Sequence, residues 1–167
     1  MNSAVVIDTN VTIVANDMHP AAGLDCVGAC IDALLQARQS GVLMDDNYLI
    51  FEEYWRHLSH AGQPGFGDAF FKWLWDNHGN PQRCRLITIT PMENDSMNFE
   101  EFPEDADLAA FDRSDRKFVA VALASGESPF ILNATDTDWW IHRTALERSQ
   151  VHVQFLCPSL MRDRNSV

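Results

Sequence analysis

Apolar and polar positions along this chain switch repeatedly between a period of two and a period near 3.6. Residues 4–7, Ala-Val-Val-Ile, form a β-rich apolar run that stops at Asp8-Thr9-Asn10, which predicts a buried strand with polar groups at its carboxyl end. Residues 24–39 set Leu24, Val27, Ile31, Leu34 and Leu35 at helical spacing, with Ser40-Gly41 as the stop. Val42-Leu43-Met44 predicts a second strand, and Asp45-Asp46 supplies two N-caps for a helix over about 47–60. Gly62, Pro64, Gly65 and Gly67 break the chain before an aromatic-rich helix over 68–77 that carries Phe70, Phe71, Trp73, Leu74 and Trp75. Residues 85–90 alternate and are β-branched, a strand closed by Pro91. A helix over 117–125, a strand over 129–132, a short helix over 139–149 and a last strand over 151–156 complete the pattern.

Strands that alternate with helices predict an α/β fold in three layers, α/β/α, around a central, mostly parallel sheet of four to five strands. At 167 residues the chain suits one domain, spanning 1–167. Between the strand over 85–90 and the helix over 117–125, residues 91–111 hold seven acids and no Lys or Arg, and read as a long acidic loop. In parallel sheets ligands gather beyond the carboxyl ends of the strands, which is where Asp8 and Asp136 both fall.

Composition narrows the picture. Apolar residues are 46% and charged residues 22%, ordinary for a globular chain and wrong for a disordered one. The longest stretch without Asp, Glu, Lys or Arg, residues 149–161, is too short for a membrane span, and the start of the chain lacks the basic opening of a secretory signal, so a cytoplasmic location is expected. Twelve basic against 24 acidic residues give a net charge of −12, which excludes a polybasic nucleic-acid coat but leaves room for a local basic patch beside bound cations. The four cysteines show no CxxC pair, and reduced thiols are expected, with Cys26 and Cys30 on a buried helical face. His57 and His60 have no further Cys or His pair to make a zinc site.

Helical phase separates neighbouring acids. Glu53 shares a face with Ile50, Tyr54, His57 and Leu58 and should point inward, whereas Glu52 aligns with Arg56 as a surface ion pair worth a few tenths of a kcal/mol, roughly. Asp115 precedes Phe118, Val119 and Ala122 on the buried stripe of its helix, with Asp112 as the N-cap. Two acids at strand ends and two on inward faces would repel one another and raise their own pKa values unless a cation neutralises them. Oxygen-only ligation favours Mg²⁺ or Mn²⁺, the ions that serve phosphodiester hydrolysis.

The residues that carry this pattern resemble the PIN-domain nucleases. Val5-Val6-Ile7-Asp8-Thr9-Asn10-Val11 is similar to the family's first strand, Phe51-Glu52-Glu53-Tyr54 to its helix with the second acid, Asp115-Arg116-Lys117-Phe118 to the third segment, and Ile131-Leu132-Asn133-Ala134-Thr135-Asp136-Thr137-Asp138 to the fourth. The resemblance implies Asp8, Glu53, Asp115 and Asp136 as catalytic metal ligands, with Asn10, Asp112, Asn133, Thr135 and Asp138 in auxiliary positions. It implies a Mg²⁺- or Mn²⁺-dependent endoribonuclease that hydrolyses single-stranded RNA, with an antitoxin protein as partner where such an enzyme is the toxin of a pair. Arg113, Arg116, Lys117 and Arg143, with Arg83 and Arg85, are the expected nucleic-acid contacts. Trp139 and Trp140 suit core packing or base stacking, and the aromatics of 68–77 suggest a homodimer. Ala134 stands where many members have Ser or Thr, and the acidic loop exceeds the minimal domain. The alternative is a catalytically silent PIN-like module that binds protein or RNA.

Overall fold

The computed structural model describes residues 3–162, so the ends of the expected 1–167 domain, residues 1–2 and 163–167, lie outside the described residues. In chain order come β1 (Val6–Ile7), α1 (Thr9–Ala15), α2 (Leu24–Ser40), β2 (Val42–Asp45), α3 (Leu49–His57), α4 (Phe66–Asp76) and β3 (Cys84–Ile87). Then follow β4 (Pro91–Met92), β5 (Asp95–Phe99), α5 (Arg116–Ala124), β6 (Phe130–Asn133), α6 (Thr137–Ile141), α7 (Arg143–Arg148) and β7 (His152–Phe155). Short 3₁₀ turns lie at Ala106–Leu108, Arg113–Asp115 and Pro158–Leu160.

The fold is mixed α/β with a three-stranded parallel sheet. Its order is β1-β6-β7, with Val6 opposite Ile131 and Leu132 opposite Gln154. A second parallel pair, β2-β3, meets it through one bridge, Val5 to Val42, where the Leu43 N–H donates to the Val5 carbonyl at 2.9 Å. Helix α5 packs against β1, β2 and β6, and its Phe118, Val119, Ala120 and Val121 are fully buried. Parallel pairing brings the carboxyl ends of β1 and β6 side by side, so the loops that follow them share one edge.

Several elements differ from the pattern in the sequence. Thr9–Ala15, to which the pattern assigns no element, is helical despite its β-branched residues. The Asp8 carboxylate accepts the Asn10 N–H at 3.0 Å and starts the turn, and burial of Val11 and Val14 outweighs propensity. Helix α4 lies close on it: a Cβ at Gly67 would sit 2.1 Å from the Thr12 carbonyl oxygen. In α2 the buried stripe is Cys26, Cys30, Leu34 and Ala37, while Leu24 is 87% and Leu35 44% exposed. Cys26, Cys30 and Leu34 thus lie on the buried face as expected, while Leu24 and Leu35 do not belong to it.

Two expectations are corrected outright. Residues 91–111 are not one loop: β4 and β5 form an antiparallel hairpin, and Phe99, Phe102, Leu108 and Phe111 are buried anchors that tie the segment to the core. The thiols are not all reduced, since Cys26 and Cys157 form a disulfide between α2 and the segment after β7; only Cys30 and Cys84 are free. The fold brings Cα atoms 131 positions apart in the sequence to 5.2 Å, a proximity that spacing cannot reveal. Among the described residues no helix is long and apolar enough to cross a membrane.

Candidate metal centre

Three carboxylates converge at the shared edge. Asp8 follows β1, Asp136 follows β6, and Asp115 ends the 3₁₀ turn that leads into α5. One oxygen of each lies within 4.8 Å of one of the others' in every pairing, and Asp8 and Asp115 are buried. Each side chain is aimed by its own turn. Asp136 is the N-cap of α6 and accepts the Asp138 N–H at 2.9 Å, while Asp8 caps α1 as described.

A network fixes the backbone behind them. Asn10 donates from Nδ2 to Asn133 Oδ1 at 2.8 Å, and its own Oδ1 accepts the N–H groups of Ala134 (2.8 Å) and Thr135 (3.3 Å). Buried Asn133 in turn donates to the Asp136 carbonyl at 3.0 Å and accepts the Asp136 N–H at 3.3 Å. Thr135 enters this network through its backbone alone. Asp112 caps the 113–115 turn through the Ser114 N–H, and its own N–H donates to Asp138 at 2.8 Å, joining the third and fourth segments. Asp138 also faces His142, with Nδ1 to Oδ1 at 3.2 Å.

Burial and mutual repulsion dominate the electrostatics. Burial, opposed by the Asn10 N–H and the Trp139 indole and reinforced by the charges of Asp136 and Glu53, pushes the Asp8 carboxyl up to about 7. Burial likewise raises Asp115 to about 10, helped by the Asp8 charge and by a hydrogen bond to Asp136. Asp115 Oδ2 is buried with no hydrogen-bond partner. Three carboxylates with one unmatched buried oxygen among like charges could hold a metal ion.

Glu53 stands apart from this trio. It is largely buried and Glu52 is exposed, but it receives the Thr9 hydroxyl and an ion pair from Lys117 Nζ at 2.8 Å. Lys117 is therefore committed to Glu53 and to the Ser114 carbonyl. No ion pair joins Glu52 to Arg56 among the described residues.

The other expected nucleic-acid contacts divide. Arg116 is buried, with donors on Asn98 Oδ1 (3.1 Å) and the Ala109 carbonyl (3.1 Å) and its guanidinium over Phe102; it fastens the acidic segment rather than presenting charge at the surface. Arg113 is half-exposed and pairs with Asp95. Arg143 stacks on Trp140 at 3.8 Å. Arg83 donates to the Arg38 carbonyl and Arg85 pairs with Glu127, at the amino end of β3 and so at the opposite edge of the strands from the acids. Three contacts were not read from the sequence. Trp139 is buried and donates Nε1–H to Asp8 at 2.8 Å, Tyr54 donates its hydroxyl to the Ile7 carbonyl, and Thr9 reaches Glu53. Only Trp139 carried a signal, as an aromatic directly after the acids of the fourth segment. No protein-family model, no curated protein and no solved structure matches this chain.

Proposed function

We propose that this chain is a PIN-like, Mg²⁺- or Mn²⁺-dependent endoribonuclease acting on single-stranded RNA. The observation that carries the reading is the meeting of Asp8, Asp115 and Asp136 around an unpartnered buried oxygen at the carboxyl edge of a parallel sheet. The strand order β3-β2-β1-β6-β7, with the Val5–Val42 bridge as its seam, supports a five-stranded, three-layer arrangement of the same kind. A divalent ion held there supplies Lewis acidity toward a phosphodiester and a water of lowered pKa. The chain's own part is positional. Trp139 and the Asn10 N–H lock Asp8, the Asn10–Asn133 pair fixes the turn that presents Asp136, and Lys117 with Thr9 holds Glu53 beside them. A homodimer, its contact made through exposed Trp55 and Trp75, belongs to the same proposal.

A second reading, a catalytically silent RNA- or protein-binding module, is favoured by one observation: Glu53 is already neutralised by Lys117. Calorimetric titration with Mn²⁺ and cleavage of end-labelled single-stranded RNA decide between them. Uptake with Mn²⁺-dependent cleavage supports the nuclease, and uptake or RNA binding without cleavage supports the module. Absence of manganese uptake overturns the metal centre itself.

A further inference from the structure

Beside the carboxylates a cleft opens between α3 and the β4–β5 hairpin. Leu49, Glu52, Glu53 and Arg56 form one wall, Ser96, Met97 and Phe99 the other, and Arg113, Ser114 and Lys117 the floor, around a cavity of about 160 Å³. Glu53 and Lys117 belong to both the cleft and the acid cluster's surroundings, because Glu53 also receives the hydroxyl of Thr9, the neighbour of Asp8. In a chain of net charge −12, three cations line this one small cleft. They differ in commitment. Lys117 is buried on Glu53, Arg113 is held by hairpin Asp95 in a half-exposed pair, and Arg56 is exposed with no ion pair to another described residue. An exposed carboxylate pair is weak, and a phosphate takes a guanidinium fork at least as well, so Asp95 occupies Arg113 without sequestering it. Met97 is 45% exposed and gives the hairpin wall an apolar, adaptable face. The space is smaller than the ~300 Å³ at which sites for drug-sized ligands begin, which suits one unit of a strand threaded through rather than a large enclosed molecule.

We propose that this cleft is the subsite for the nucleotide flanking the cut bond of single-stranded RNA, with Arg56 and Arg113 on its phosphate and Met97 against its base. The inference rests on the nuclease reading and makes the acidic hairpin a substrate-positioning wall. The test is anisotropy of fluorescein-labelled oligouridylate across a salt series, with calcium in place of manganese to keep the strand uncut. Arg56→Ala should weaken binding about 3- to 10-fold and lower the salt slope by ~0.7, the signature of one lost contact to single-stranded nucleic acid. Met97→Ala should weaken binding with the slope unchanged, and Glu52→Gln, which removes a negative charge from the same wall, should tighten it. Manganese titration of each variant separates the two claims. If the wild type takes up manganese and cuts RNA while Arg56→Ala, Met97→Ala and Glu52→Gln all bind like it, the subsite is wrong and the metal centre stands. If the wild type takes up no manganese yet loses RNA affinity on Arg56→Ala, the cleft binds RNA without flanking a cut bond, and the nuclease reading falls with the scissile-bond subsite.

Discussion

Two sets of carboxylates are equally hidden in this molecule and behave as opposites. Asp45 and Asp68 are 0% and 4% exposed, and Asp8 and Asp115 are 4% and 7%. Asp45 accepts the N–H groups of Leu49 and Ile50, each at 2.9 Å, and so starts α3. Asp68 accepts from Ser59 N–H (2.8 Å), Gly65 N–H (2.9 Å) and the Asn16 amide (2.9 Å), tying α4 to α1. Their negative charge is matched donor for donor. Asp115 has an oxygen with no donor, and Asp8 faces two further acids across a short gap. Burial alone therefore does not separate the two sets: Asp8 has a donor on each oxygen, as Asp45 has, and differs in the like charges it faces, while Asp115 differs in lacking a donor on one oxygen.

The sharpest way to break this comparison is to remove one member of each set. Asp8→Asn or Asp136→Asn should abolish Mn²⁺-dependent RNA cleavage, a loss of about a thousandfold or more given the several kcal/mol a metal contributes, while the metal-free melting temperature holds or rises. Wild-type cleavage by either variant removes that residue from the ligand set. Asp68→Ala should do the reverse: about 3 kcal/mol of stability lost, because three part-buried donors lose their acceptor, with manganese affinity of the folded protein unchanged in calorimetry.

Proton linkage tests the same contrast more gently. The Asp8 and Asp115 carboxyls titrate near 7 and near 10 in the folded chain, against about 3.9 unfolded. Between those values the folded state binds protons that the unfolded state has released, so metal-free stability falls as pH rises from about 4 through 7 and, for Asp115, beyond. Melting in EDTA should therefore give a lower temperature at about pH 8 than at about pH 5, and manganese uptake should release protons and tighten over the same range. A flat profile would show that these acids are not forced together. The smallest effects concern α3. Glu53→Gln should slow cleavage about 10-fold by loosening the Lys117 pair, whereas Glu52→Gln should shift RNA affinity the other way.

Helical phase was enough to turn Glu53 inward and Glu52 outward, because a period of 3.6 assigns faces without knowledge of the partner. In α2 it placed Leu34, Cys26 and Cys30 rightly on the buried face and misjudged Leu24 and Leu35, which are exposed. The hairpin at 91–99 was illegible for a related reason: its seven-acid surroundings look like solvent-exposed loop, and only Phe99, Phe102, Leu108 and Phe111, each buried against distant segments, reveal that it is anchored. Arg116 illustrates the limit for charge, since a cation beside an acid motif can as well hold a loop from beneath as contact a phosphate.

Much local order came from the chain itself: the five strands that pair in parallel, the stop of α2 at Gly41, and which acids stand at strand ends, since these depend on neighbours within a few residues. Tertiary structure alone decided that Asp8, Asp115 and Asp136 meet while Glu53 turns to Lys117, that Trp139 donates to Asp8, and that Cys26 finds Cys157. Those outcomes depend on distances between segments from about twenty to 131 positions apart, and such distances are set by how strands pair and helices pack, which no local spacing encodes.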